Sequence, residues 1–414
     1  MERSRREFLK RTACGAVGLT VLEPLLFRGA GAALAAAGDR CLVVVNLFGG
    51  NDGLNTVVPL REYARYRQMR PSLALAQANL LPLVGQPDFG LNPGLGSLQQ
   101  LFNRGKVAII NGVGVPREAT GLFDHAAQQF EFQTCDIVRG ASSAPATGWV
   151  GRYLDGVEAG VVAPGIDMGG GRLMLTGSAF DPLSVGSIDE LQLQVSFDED
   201  ARRSAYRDIM AIPHTSSAVG ETSRVFRVQG LAQGEAIRAA TAPYAPAVAY
   251  PETSLAERLK ECARILYGDL GVRALAVGAG GYDTHGEQND GGYHNDLLRE
   301  VGDAIAAFHA DLVAHGLSSR VLILTISEFG RTPFENAARG TDHGFASVSF
   351  AVGDAVSGGI YGDYPHLGDD WLVFGDLLDV TTDFRSVYAT ALAGFMNVDP
   401  APIVGGSFPL LGFV

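Results

Sequence analysis

The feature that most narrows the possible folds is a type of segment that occurs three times, far apart in the chain: an apolar run that stops abruptly at glycine or at a polar cluster. In "VVVNLFGGNDGLN" the run from Leu42 to Phe48 is interrupted only by Asn46 and ends in Gly49, Gly50, Asn51 and Asp52. "RALAVGAGGYDTHG" (273–286) and "RVLILTISEFGRTP" (320–333) repeat the pattern. Strands covered on both faces read as such continuous runs, and they belong to parallel sheets. Gly-Gly-Asn-Asp is also turn-forming chemistry, with the aspartate available as a helix cap.

Amphipathic segments alternate with these runs. Leu122, Ala126, Phe130 and Gln133 in "TGLFDHAAQQFEFQT" are spaced for a helix, and "TGWVGRYLDG" reads as another helix start. Leu255, Leu259, Cys262 and Leu266 share one helical face. So do Leu298, Val301, Ile305, Phe308 and Leu312, with Asn295 or Asp296 as the cap; His309 and His315 on this helix read as structural. "KVAIINGVGV" and "SVSFAVG" are further strands. The predicted architecture is α/β: a three-layer, mostly parallel sheet with helices on both faces. Residues 38–414 read as a single domain in which 156–250, ending in a Pro/Ala stretch, is a candidate insertion or lid.

The N-terminus departs from this pattern. "SRREFLK" places Arg5 and Arg6 ahead of a short apolar stretch, followed by small-residue sites around Ala33 to Ala37. That order is an export signal of the twin-arginine type, so residues 1–37 are expected to direct the chain to the periplasm or the exterior. Removing them takes out six basic and three acidic residues, a net +3, and moves the formal charge from −13 to −16. So acidic a chain argues against nucleic-acid binding. No mature segment is apolar for long enough to span a membrane. Cys41, Cys135 and Cys262 do not make a disulfide framework, although export leaves a Cys41–Cys135 bridge open. Neither "GAGGYD" nor "NGVGVP" completes a dinucleotide-binding fingerprint.

If the sheet is parallel, the ends of its strands lie at one edge, where open α/β sheets bind ligands. Asn51 and Asp52 follow the first strand, Asp283 and His285 another, Glu328 a third, and Asp342 and His343 in "GTDHG" come shortly afterwards. Carboxylates gathered at one edge repel each other, and a cation resolves the conflict. Mixed carboxylate and imidazole donors favour zinc or manganese; an oxygen-only subset would suit calcium.

"LFGGNDGLNTVVP", "GWVGRYLD", "YDTHGEQ", "SEFGRTP" and "GTDHG", in this order behind a twin-arginine signal, resemble a bacterial family of unknown function that is itself similar to the alkaline phosphatase and sulfatase superfamily. The resemblance implies an alkaline-phosphatase-like fold in which one or two metals at strand ends activate a hydroxyl or modified cysteine nucleophile. It places Asp52, Asp283, His285, Glu328 and His343 at ligand positions, with Asp342 as a ligand or as the partner that orients His343. Phe329 stands where a histidine is expected, which leaves one metal fully ligated. At the nucleophile position Thr120 is the nearest hydroxyl, and it also reads as a helix cap; Asp124 or His125 is a candidate auxiliary ligand or base. Asn51 and Arg331 are candidate donors to a substrate oxygen, and His294 is a candidate extra ligand. The expected function is an exported metal-dependent hydrolase of phosphate or sulfate esters, small-molecule or glycan. The alternative is a non-catalytic exported binding protein that keeps the fold and one structural metal.

Overall fold

A computed structural model describes residues 40–119, 122–138, 146–157, 163–192, 200–213, 217–364 and 366–414. Residues 1–37, which read as an export signal, and Thr120 lie outside them. Among the described residues, no helix is long and apolar enough to cross a membrane.

The three apolar runs are neighbouring strands. β1 (Cys41–Leu47), β2 (Val107–Gly114), β3 (Gly165–Met168), β4 (Leu183–Ser184), β5 (Ala274–Ala279), β6 (Val321–Ile326), β7 (Ser347–Val352), β8 (Gly359–Tyr361) and β9 (Thr382–Asp383) form one nine-stranded sheet. Its order is β8-β2-β7-β6-β1-β5-β3-β4, with β9 also paired to β2. β1 runs parallel to β5 and β6, in the register Val44 opposite Ala276 and Leu324. β7 runs against both β2 and β6. The loops that leave β6, β1 and β5 therefore emerge side by side.

Helices cover both faces, as expected. The principal ones are α1 (Gly96–Asn103), α2 (His125–Thr134), α3 (Trp149–Leu154), α4 (Asp200–Ala211), α5 (Ala218–Thr241), α6 (Ser254–Tyr267), α7 (Tyr293–Ala314) and α8 (Phe384–Thr390). Alternation along β1 sorts its side chains. Cys41, Val43, Val45 and Leu47 pack in one cluster with residues of α1, α6 and α7, while Leu42 and Val44 join the cluster of α3 and α8. Cys41 and Cys135 fall in opposite clusters and all three described cysteines are free, so the bridge left open by the sequence is absent. Burial pushes each of these thiols up, in keeping with inert core packing.

Two details differ from the sequence reading. α7 starts at Tyr293 rather than behind Asn295 or Asp296, because Gly291 and Gly292 adopt positive φ of 62° and 86° and break the chain direction there. Within 156–250, β3 and β4 belong to the central sheet, whereas no residue of α4 is buried. The Pro/Ala stretch is tied to α7, whose fully buried Asp311 accepts from the Tyr244 and Tyr250 hydroxyls and the Ala247 N–H at 2.5, 3.0 and 2.7 Å.

Gly49 and Gly50 let the neighbouring strand ends converge. Gly49 has φ +117°, and a Cβ there would lie 2.4 Å from the Asp283 nitrogen. Gly50 has φ +82°, and its Cβ would lie 2.3 Å from the Phe329 ring. Neither position tolerates a side chain without moving a loop of the site. We expect Gly49→Ala to lower stability by about 2–3 kcal/mol in urea unfolding and to displace the Asp283 loop.

Candidate metal centre

Asp283 and His285 follow β5, and His343 lies on a two-residue strand (His343–Gly344) paired with Gly330–Arg331 just beyond β6. This pairing brings the two histidines together. His285 Nε2 and His343 Nε2 are 2.9 Å apart, and they lie 3.1 and 3.2 Å from Asp283 Oδ1. His125, at the start of α2, sets its Nε2 3.4 Å from the other oxygen, Asp283 Oδ2. Donor atoms of His125, Asp283 and His343 all lie within 4.8 Å of one another.

The opposite nitrogen of each ring decides its tautomer. His343 Nδ1 donates to the Phe123 carbonyl at 2.8 Å, His285 Nδ1 to Asp342 Oδ1 at 2.9 Å, and His125 Nδ1 to Glu328 Oε1 at 3.1 Å. With every Nδ1–H so engaged, the three Nε2 lone pairs turn toward one carboxylate. Facing lone pairs are stable only around a proton or a cation, and imidazoles tethered to oxygen acceptors are the usual support of a metal ligand. Ligand atoms of a tetrahedral zinc site stand roughly 3.3 Å apart, the spacing of His343 and His125 from the two oxygens of Asp283, at 3.2 and 3.4 Å. The donor set therefore fits a divalent metal.

Electrostatics keep Asp283 and His343 in ligand form. Partial burial would raise the Asp283 carboxyl, but the adjacent Arg331 guanidinium, with His343 and His285, holds it at about 2. Partial burial likewise opposes ionisation of Asp342, and hydrogen bonds from His285 and Asn336 lower it. Burial, aided by the Arg331 charge, pushes His343 below its ordinary value, toward the neutral imidazole that binds metal. Asp283 is nearly half exposed, at 47 %, so one side of the cluster faces solvent.

The other sequence candidates lie around the cluster or apart from it. Glu328 is buried beneath His125 and also accepts from the Gly49 N–H and Gln129, so it supports an imidazole instead of joining the ligand atoms. Asp342 orients His285, not His343. Asp52 stands apart: Oδ1 accepts from the Asn55 N–H, and Oδ2 accepts from Arg70 at 2.7 Å and from Gln288 at 2.5 Å. Burial opposes ionisation of Asp52, but Arg70, His294 and these hydrogen bonds hold its carboxyl below the ordinary range.

Asn51 is fully buried, its side chain engaged by Thr56 and His294. Arg331 is equally enclosed, donating to the carbonyls of Gly49, Gly50, Tyr282 and Thr341 and to Asp283. Neither side chain is open to solvent. His294 sits in the core beside Asn51, and burial lowers it to about 4. Asp124 caps α2 through the Ala127 N–H at 2.7 Å. Phe329 lies 4.3 Å from His343 and 4.8 Å from His125, ring centre to ring centre, and packs against both imidazoles. His125 joins the cluster more closely than its auxiliary reading implied; an imidazole directly after a capping aspartate was its signal.

The sequence pattern of a family described as "Protein of unknown function (DUF1501)" matches residues 190–396, half of the chain. The chain belongs to this family. No curated protein matches it. Among solved structures it is similar to the PsFucS1 sulfatase from Pseudoalteromonas sp., at 12 % identity over 94 % of this chain and 73 % of that one, with a TM-score of 0.39. It is also similar to a phosphonate monoester hydrolase from Silicibacter pomeroyi (10 % identity, 90 % and 74 % coverage, TM-score 0.30) and to a 2-O GAG sulfatase (9 %, 90 % and 72 %, TM-score 0.28). Alignments this loose transfer no residue roles to the DUF1501 chain.

We expect the chain to bind about one zinc or manganese by elemental analysis, and His343→Ala or Asp283→Ala to abolish uptake while the chain stays folded. Asp342→Asn, which frees only the back of His285, should weaken metal affinity roughly 10- to 100-fold. Separately, Arg70→Met leaves Asp52 buried without its cation and should cost about 3–5 kcal/mol in urea unfolding at neutral pH. The Asp52 contribution is present above the unfolded aspartate value of about 3.9 and is lost as pH falls through the depressed folded value. The gap between wild type and Arg70→Met should therefore narrow as pH falls below about 4.

Proposed function

We propose that this protein is an exported, metal-dependent hydrolase acting on phosphate or sulfate esters. One observation carries this reading: three imidazoles, each held by Nδ1 on an oxygen acceptor, aim Nε2 at the oxygens of a single half-exposed carboxylate. The proposed ligands are His125, Asp283 and His343, whose donor atoms lie within 4.8 Å of one another, with His285 a fourth candidate 3.1 Å from Asp283. Their mixed nitrogen and oxygen donors favour zinc or manganese over calcium, which prefers six to eight oxygens. When bound, such a metal polarises an ester oxygen and stabilises developing negative charge.

The chain's own residues do the positioning. Arg331 keeps Asp283 ionised and fixes the loop that carries it. Asp342, Glu328 and the Phe123 carbonyl fix the ring orientations. Phe329 closes the apolar side of the cluster, leaving the solvent side for an ester. Thr120 is the proposed nucleophile, three residues before the Phe123 whose carbonyl holds His343. Export through residues 1–37 and a single domain from residue 38, with the exposed α4 region as its insertion, complete the reading.

The burial of Asn51 and Arg331 favours the second reading, a binding protein with one structural metal, because neither offers a donor to a substrate. Turnover separates the two. Metal-loaded wild type should hydrolyse members of a panel of aryl phosphates, phosphonates and sulfates, and Thr120→Ala should lower kcat at least about 100-fold with metal content unchanged. A folded, metal-loaded wild type that turns over none of the panel would leave the binding-protein reading in its place.

A further inference from the structure

α4 is amphipathic in the opposite sense to a helix that covers a core. Tyr206, Ile209 and Ile212 recur at every third position and share one helical face with Ala205. They are 49 %, 63 % and 61 % exposed, and no residue of α4 is buried. Polar groups make the junction with α5. Arg207 pairs with Glu235 at 2.6 Å, and Arg224 donates to the Ala211 carbonyl at 3.4 Å. A helix fixed by polar contacts that turns its apolar stripe to water gains no stability from the stripe.

The stripe continues onto the second helix. Val219, near the start of α5, is also exposed. Tyr206, Ile209, Met210, Ile212 and Pro213 line, with Arg227 of α5, an open cavity of about 470 Å³. Basic charge gathers around it. Residues 200–227 carry five arginines (202, 203, 207, 224 and 227) against Asp200, Asp208 and Glu221, a net +2 within a chain of formal charge −13. An apolar stripe containing a tyrosine and flanked by arginines is the pattern of a helix that lies in the surface of an anionic membrane. A second copy of this chain fits less well, because a two-fold contact would set the same arginines against each other and join two acidic molecules.

We propose that α4 and the start of α5 seat this protein on an anionic phospholipid surface. Tyr206, Ile209, Ile212 and Val219 enter the headgroup boundary, a lipid chain occupies the cavity beside Arg227, and the arginines meet the phosphates. This seating is independent of the metal cluster and of hydrolysis.

The test is flotation of the protein recovered after export with two kinds of vesicle: phosphatidylcholine alone, and phosphatidylcholine with phosphatidylglycerol in equal parts. At low salt the mixed vesicles should bind it at least about tenfold more tightly, and the preference should shrink as salt rises. The double variant Ile209→Ser, Ile212→Ser changes two exposed positions. It should bind the mixed vesicles at least about tenfold more weakly, with melting temperature and metal content unchanged. Wild type that ignores the mixed vesicles, or a double variant that binds them as well as wild type, overturns the proposal. Equal binding to both kinds of vesicle also overturns it, since the arginines would then play no part. A wild-type dimer in light scattering that the double variant turns into a monomer, without vesicle binding, assigns the stripe to a second copy instead.

Discussion

The Arg331 guanidinium holds the functional edge of this protein together. It is fully buried, and it donates to carbonyls of the loop after β1, the loop after β5 and the segment preceding His343, as well as to Asp283. A buried charge is tolerable only when its donors are satisfied. Here the satisfying groups are backbone oxygens from three loops with no strand partner beyond the sheet edge. One side chain thus meets the hydrogen-bonding needs of three loop ends, and the candidate metal cluster is built on the result.

Arg331 also sets the electrostatic balance of the cluster. It keeps Asp283 ionised and opposes protonation of His343, which suits both as ligands. It also places a positive charge 2.6 Å from the ligand oxygen, which works against a dication. In the proposed site, three imidazoles and one carboxylate would offset that repulsion through directional donation instead of net charge.

Much of the architecture was legible in the sequence because strands covered on both faces leave an unbroken apolar trace. β1, β5 and β6 were visible in this way, and their adjacency put Asp283 and His285 on the same edge as Glu328. Ligand identity was less legible. Asn51 and Asp52 occupy the strand end where a ligand belongs, but Arg70, eighteen residues on, claims the Asp52 carboxylate. Sequence pattern locates a loop at an edge and does not say which way its side chains turn. Arg331 read as a substrate donor for the same reason, since a solvent-facing arginine and one turned onto carbonyls look alike in a string of letters. The β7 reversal and the glycine start of α7 were similarly hidden, being set by tertiary packing and by local φ.

The cluster draws on residues around 49, 123, 283, 328 and 343, so no contiguous fragment of the chain contains it. His343 takes its place only once the strand pair with Gly330–Arg331 has formed beside a completed β6. Capture of a metal by the proposed site would therefore be a late event in the life of the molecule, following synthesis of nearly the whole polypeptide. A chain exported already folded would carry the ion chosen where it folded, so metal supply in that compartment, and not in the one where the protein works, would fix its composition.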